Sequence, residues 1–210
     1  MEHLAKERAA LDAEFEPWQG TDVSEFAESA ERQPRTEADL YELALARLEE
    51  LKADIEDGDE SEAVLLQKLT KETEIRTIFA NRLGKSSRSR YTVGSEEKLA
   101  DASRTDIRLN APQVSAPVPI ELKIADKWTF AKLRERLENQ LIGQYMRVSQ
   151  YGIFLVVYKG KKPYWIDPHT RKRLAFAGLI EALNQEAKEL IGKHPTVVDL
   201  EVVGIDFTAR

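Results

Sequence analysis

Cysteine is absent from all 210 residues, which removes disulfides and thiolate zinc sites from consideration. Histidine is scarce: His3, His169 and His194 are scattered along the chain, so no histidine-based metal cluster is expected. No apolar run approaches the roughly 20 residues needed to span a bilayer. The start, Met1-Glu-His-Leu-Ala-Lys6, has neither the basic opening nor the apolar stretch of a signal peptide. Internal repeats and low-complexity tracts are also missing. These absences leave a soluble, cytoplasmic protein with no membrane partner as the expectation.

What the chain does have is charge, unevenly placed. Its net charge of −6 is the sum of two opposed parts. Residues 1–65 hold 20 Asp/Glu against 6 Lys/Arg, and residues 66–210 hold 17 against 25, giving −14 and +8. An acidic front on a basic body suggests two regions with different tasks, and a basic body suits a polyanion such as nucleic acid. The length allows one well-buried domain with an appendage. We therefore expect residues 1–60 to form an acidic, mainly helical extension or connector and residues 61–210 to form the main domain.

Helical spacing is clearest in Leu40, Leu43, Leu48, Leu51 and Ile55, preceded by Thr36-Glu-Ala-Asp39, which resembles a capping box. That leucine-rich helix is a candidate surface for a homodimer. An earlier helix over Glu2–Phe15 is weaker. Val64, Leu65, Leu69, Ile75, Ile78, Phe79 and Leu83 predict a continuous helix from Ser61 to Leu83, stopped by Gly84. The basic loop Lys85-Ser-Ser-Arg-Ser-Arg90 follows and, with Arg76 and Arg82, is placed to contact phosphates. Strands are then predicted at Tyr91–Val93, Thr105–Leu109 and Val118–Ile124, a helix at Phe130–Val148, and a doubly buried strand at Tyr151–Tyr158. A helix over Leu174–Ile191 and a strand within Val197–Phe207 complete an α/β order.

The chemistry concentrates in Thr105-Asp-Ile-Arg-Leu109 and Val118-Pro-Ile-Glu-Leu-Lys-Ile124. In a strand, alternate side chains face opposite ways, so Glu121 and Lys123 project together while Ile120, Leu122 and Ile124 face a core. Asp106 lies in a short apolar run that can pair with this strand. Two carboxylates brought to one sheet face repel unless a cation sits between them. Hard oxygen ligands of this kind suit Mg²⁺ or Mn²⁺. Taken alone, an Asp followed by Glu-x-Lys is more often an exposed strand with a surface ion pair; the flanking β residues, the helix and the buried strand raise the active-site reading above that.

Asp106, with Glu121-Leu-Lys123 on an α-β-β-β-α-β order, resembles the PD-(D/E)XK nuclease superfamily, whose fold is restriction-endonuclease-like. The likeness covers roughly residues 61–160. It implies that Asp106 and Glu121 hold one or two divalent metals and that Lys123 orients or activates the attacking water. Many members also carry a glutamate on the first core helix that reaches the metal shell; Glu74 is the candidate here, with Glu72 second. Gln140 to Tyr145 resembles the glutamine-and-tyrosine pair of several subgroups. The pair is usually four residues apart and here is five, which turns Tyr145 off the shared α-helical face and leaves Gln140 as the expected contributor. The family's proline before the aspartate is replaced by Thr105.

Glu96 to Asp106, with the two motifs above, is also similar to nuclease-like segments that close large bacterial proteins, some linked to phage defence. On that likeness the remaining domains of a larger protein are partners. The activity implied is metal-dependent hydrolysis of phosphodiesters, in double-stranded DNA, by an endonuclease that works as a dimer. The alternative is a catalytically inactive nucleic-acid-binding or scaffolding module on the same fold. A third reading makes the acidic front a recruiter of a basic partner or a shield for the basic body. His169, in the turn Asp167-Pro-His-Thr170, is assigned no chemistry, and Lys159–Lys162 and Arg171–Arg173 read as solvated turns, with phosphate contact the lesser alternative.

Overall fold

The computed structural model describes residues 33–58, 62–95 and 106–209. The chain divides between Gln33 and Pro34, and the elements described below all fall in the unit Pro34–Arg210. The helix expected over Glu2–Phe15 lies outside the described residues.

Helix α1 (Glu37–Glu56) begins as its sequence dictates. Thr36 Oγ1 accepts from the Asp39 N–H at 3.0 Å, and Asp39 returns a carboxylate oxygen to the Thr36 N–H at 2.9 Å, so orphan donors of the first turn are satisfied reciprocally. Its stripe of Leu40, Ala44, Leu48, Leu51 and Ile55 is buried in the same core as the sheet residues Ile120, Leu122, Ile153 and Leu155. This moves the expected boundary at residue 60: α1 belongs to the body, because its apolar face is buried in the core that the sheet supplies. The same burial removes that face as a surface for self-association.

The continuous helix predicted from Ser61 is two helices. Helix α2 (Ala63–Lys68) stops at Leu69, whose backbone is extended, and α3 (Glu72–Lys85) restarts after an extended Lys71. Glu74 explains the restart, since its carboxylate accepts the Thr70 and Lys71 N–H groups at 3.3 and 3.2 Å. Gly84 lies inside α3 rather than beyond it.

Strands β1 (Thr92–Ser95), β2 (Ile107–Asn110), β3 (Val118–Ile124), β4 (Tyr151–Tyr158) and β7 (Asp199–Asp206) form one mixed sheet in that order. β1, β2 and β3 are antiparallel neighbours, whereas β4 runs parallel to both β3 and β7. A separate hairpin, β5 (Trp165–Ile166) with β6 (Arg173–Leu174), was not legible in the sequence. Ile107, Leu109, Ile120, Leu122, Ile124, Ile153, Leu155 and Val203 face α1–α3. Phe154, Val156 and Val202 face α4 (Phe130–Arg136), its continuation Leu137–Tyr145, and α5 (Phe176–Lys193). The protein is thus α/β, with helices covering both faces of a mixed five-stranded sheet. No helix among the described residues is long and apolar enough to cross a membrane.

Candidate functional site

β2 and β3 pair with Ile107 opposite Ile120. Continuing that antiparallel register one step sets Asp106 opposite Glu121, and strand alternation sets Lys123 on the same face as Glu121. The expected juxtaposition is therefore present, but the face is not open. Every residue of β3 is buried, with Glu121 fully covered and Lys123 5% exposed. An exposed strand with a surface ion pair is excluded.

Lys123 Nζ donates to Glu121 Oε1 and, at 3.1 Å, to the Leu122 carbonyl; it lies 3.8 Å from both Asp106 Oδ2 and Glu72 Oε2. Asp106 is held on both oxygens: Arg76 Nη1 donates to Oδ1 at 2.7 Å and the Leu122 N–H to Oδ2 at 3.0 Å. Arg76 is therefore a partner of Asp106 and not one of the exposed phosphate contacts expected from the sequence. Arg82 likewise pairs with Glu62 at 2.6 Å.

Among the described residues, Glu121 Oε2 has no hydrogen-bond partner although it is buried. Burial, then the neighbouring Asp106 charge, push the Glu121 carboxyl up to about 8 against the opposing pull of Lys123. Ionised, Glu121 leaves Oε2 a buried acceptor with no donor, at a cost on the order of 1–3 kcal/mol; protonated, the carboxyl shares a hydrogen bond with Asp106. A cation at that oxygen would remove the cost, and the donor set of Glu121, Asp106 and the Leu122 carbonyl is all oxygen, the chemistry that Mg²⁺ and Mn²⁺ prefer. These residues fit such an ion, although no group of three or more His, Asp or Glu among the described residues surrounds a ready-made metal position.

Glu74 does not join this cluster, because its carboxylate caps α3. Glu72 does: Oε1 accepts from Trp128 Nε1 at 3.3 Å and the Ile124 N–H at 3.4 Å, while Oε2 approaches Lys123. A usable signal was present in the sequence, since paired acids favour a helix's first turn. Glu72 and Glu74 together mark a start rather than the middle of a longer helix.

The segment Leu137–Tyr145 is π-helical, closed by bonds such as Met146 N–H to the Leu141 carbonyl at 2.9 Å. In i→i+5 bonding, residues five apart stack on one face. Gln140 Nε2 accordingly donates to the Tyr145 hydroxyl at 2.7 Å. The expectation that a five-residue interval separates the pair is corrected by this change of helix type. Tyr145 is buried, and its hydroxyl is pushed up to about 12 by burial and by the Glu121 and Asp106 charges. Tyr145, hydrogen-bonded to Gln140, thus senses the charge of the carboxylates.

Against known proteins, the chain matches no family model, no curated protein and no solved structure.

Proposed function

We propose that this chain is a divalent-metal-dependent nuclease that hydrolyses phosphodiester bonds in DNA. The observation that carries the reading is the convergence of Asp106, Glu121, Lys123 and Glu72, with one buried Glu121 oxygen lacking a partner. The sheet supports the restriction-endonuclease-like expectation, because three antiparallel strands followed by a parallel crossover place the aspartate and the Glu-x-Lys strand side by side.

Glu121 and Asp106 would hold Mg²⁺ or Mn²⁺, which when bound supplies charge for the phosphoryl oxygens and a more acidic water. The chain's own residues do the rest. Lys123 gives a compact cation within reach of both carboxylates and can orient a water or offset developing charge. Arg76 and the Leu122 N–H fix Asp106 against rotation. Glu72 and Trp128 close one side of the cluster, and the Tyr145 hydroxyl, hydrogen-bonded to Gln140, lies within the electrostatic reach of Glu121 and Asp106.

A second reading, an inactive nucleic-acid-binding module, is favoured by one feature: Arg76 and Lys123 already pair with Asp106 and Glu121. Supercoiled plasmid incubated with the purified chain in Mg²⁺ or Mn²⁺ separates the two. Cleavage that is lost under chelation and in Glu121→Ala and Lys123→Ala supports the nuclease. DNA bound but uncut under every metal supports the module.

A further inference from the structure

Two basic runs that the sequence presents as separate turns, Lys159–Lys162 and Arg171–Arg173, are brought together by the β5–β6 hairpin, which pairs Trp165 with Leu174 and Ile166 with Arg173. Residues 159–173 carry six cations (Lys159, Lys161, Lys162, Arg171, Lys172, Arg173) and one anion, Asp167, a net +5. Across Pro34–Arg210 the Lys/Arg and Asp/Glu are equal, 28 of each. The hairpin is therefore a local excess and not a sample of a generally basic body. Asp167 uses its acceptors within the turn, taking the His169 and Thr170 N–H groups at 2.8 and 3.2 Å and the Thr170 hydroxyl at 2.7 Å.

This segment is fixed beside the carboxylate cluster. Lys162 Nζ and Trp165 Nε1 both donate to the Trp128 carbonyl, at 2.6 and 3.1 Å, and Trp128 Nε1 donates to Glu72 at 3.3 Å. One tryptophan separates the hairpin from the carboxylate that faces Lys123. Asp126 holds the loop by accepting the Lys159 and Lys161 N–H groups at 2.8 and 2.6 Å. The hairpin tip is clamped on α5, where Glu186 takes His169 Nε2 at 2.6 Å and Arg134 Nε at 2.5 Å. Lys161, Arg171, Lys172 and Arg173 remain exposed, and the Arg173 guanidinium lies 4.3 Å over the half-open Tyr164 ring. The competing loop Lys85–Arg90 is less suited, since its Arg90 is buried.

We propose that the loop 159–162 and the hairpin 165–174 form the platform that grips a nucleic acid by its phosphates and leads a strand past Trp128 to the Asp106–Glu121–Lys123 cluster. Its direction rests on the nuclease reading; the binding itself does not. Backbone contacts of this kind position a duplex without reading its sequence, and each one contributes to salt dependence.

The test is fluorescence anisotropy of a short labelled DNA duplex with the full chain, in chelator so that nothing is cut. The proteins compared are the parent, K161E/R171E/R173E, and K85E/R88E, each checked for an unchanged melting temperature. The platform predicts at least a tenfold loss of affinity for the hairpin variant. It also predicts a log K against log salt slope shallower by about 2–3, at roughly 0.9 per phosphate contact, and little change for the loop variant. No binding by the parent, or binding that the hairpin variant keeps with an unchanged slope, overturns the platform. Displacement of DNA by polyglutamate at equal charge concentration also overturns it, in favour of an acidic protein partner. Hairpin-dependent binding without cleavage in any divalent metal supports the platform and counts against the nuclease.

Discussion

Glu121 is held between an ammonium that favours its charge and burial that opposes it. Its folded-state pKa of about 8 is raised above the ordinary 4.5, so between those values the folded chain binds the proton more tightly than the unfolded chain. Stability is then greatest at low pH and declines as pH rises through the window. In chelator, the melting temperature should fall by roughly 5–10 °C between pH 5 and pH 8.5, and Glu121→Gln should flatten that slope. An equally steep decline in the variant would remove Glu121 as its source. At this scale the sequence was informative where chemistry depends on strand alternation, because a period of two is insensitive to small errors in boundaries. It misassigned Glu74 and Glu72 because their roles depend on where a helix begins. The break at Leu69–Lys71 is set by packing and capping that periodicity does not record. Arg76 was misread for a related reason: its partner lies 30 residues away, on β2's approach.

Elements carry two further consequences. The π-helix lets a five-residue interval do what four residues do in an α-helix. Deleting the exposed Gly143 should restore four-residue spacing, leave the chain folded and keep plasmid cleavage. Tyr145→Phe should instead slow cleavage about tenfold, the size of one net hydrogen bond, with little change in melting. Loss of folding on deletion would show that downstream register, not the Gln140–Tyr145 contact, requires the π turn. The second consequence concerns β7, an outer strand of the sheet. Asn184 of α5 both donates to the Val202 carbonyl and accepts its N–H, each at 2.9 Å. Glu56 accepts the Asp206 N–H at 2.7 Å. These side chains occupy backbone groups that another strand would otherwise pair with. Asn184→Ala should cost about 1–3 kcal/mol in urea denaturation and increase self-association by light scattering; neither change would mean the amide is incidental. Neither device was legible in the sequence, since an i→i+5 turn and a side chain matched to a distant strand depend on tertiary contacts.

At the scale of the molecule, α1 decides where the folded body starts. Its buried leucines share a core with β3 and β4, so a chain beginning at Pro34 should unfold cooperatively, whereas one beginning after residue 60 should not fold. Leu48→Ala, at a fully buried position, should cost about 2–5 kcal/mol; a cost below 1 kcal/mol would contradict the shared core. The sequence identified this helix and its cap correctly but took its acidic outer face as the mark of a separate region. Charge reports the solvent side of a helix, and only packing reports its inner side. Moving α1 into the body also makes the body neutral in count and localises the basic excess in the hairpin beside the site. The account turns on Glu121 Oε2, the buried oxygen left for a cation. The most direct test is Mn²⁺ titration of the full chain at pH 8, followed by electron paramagnetic resonance, with Glu121→Gln alongside. One bound ion in the parent that is lost or strongly weakened in the variant is the predicted result; equal Mn²⁺ binding by both would contradict it.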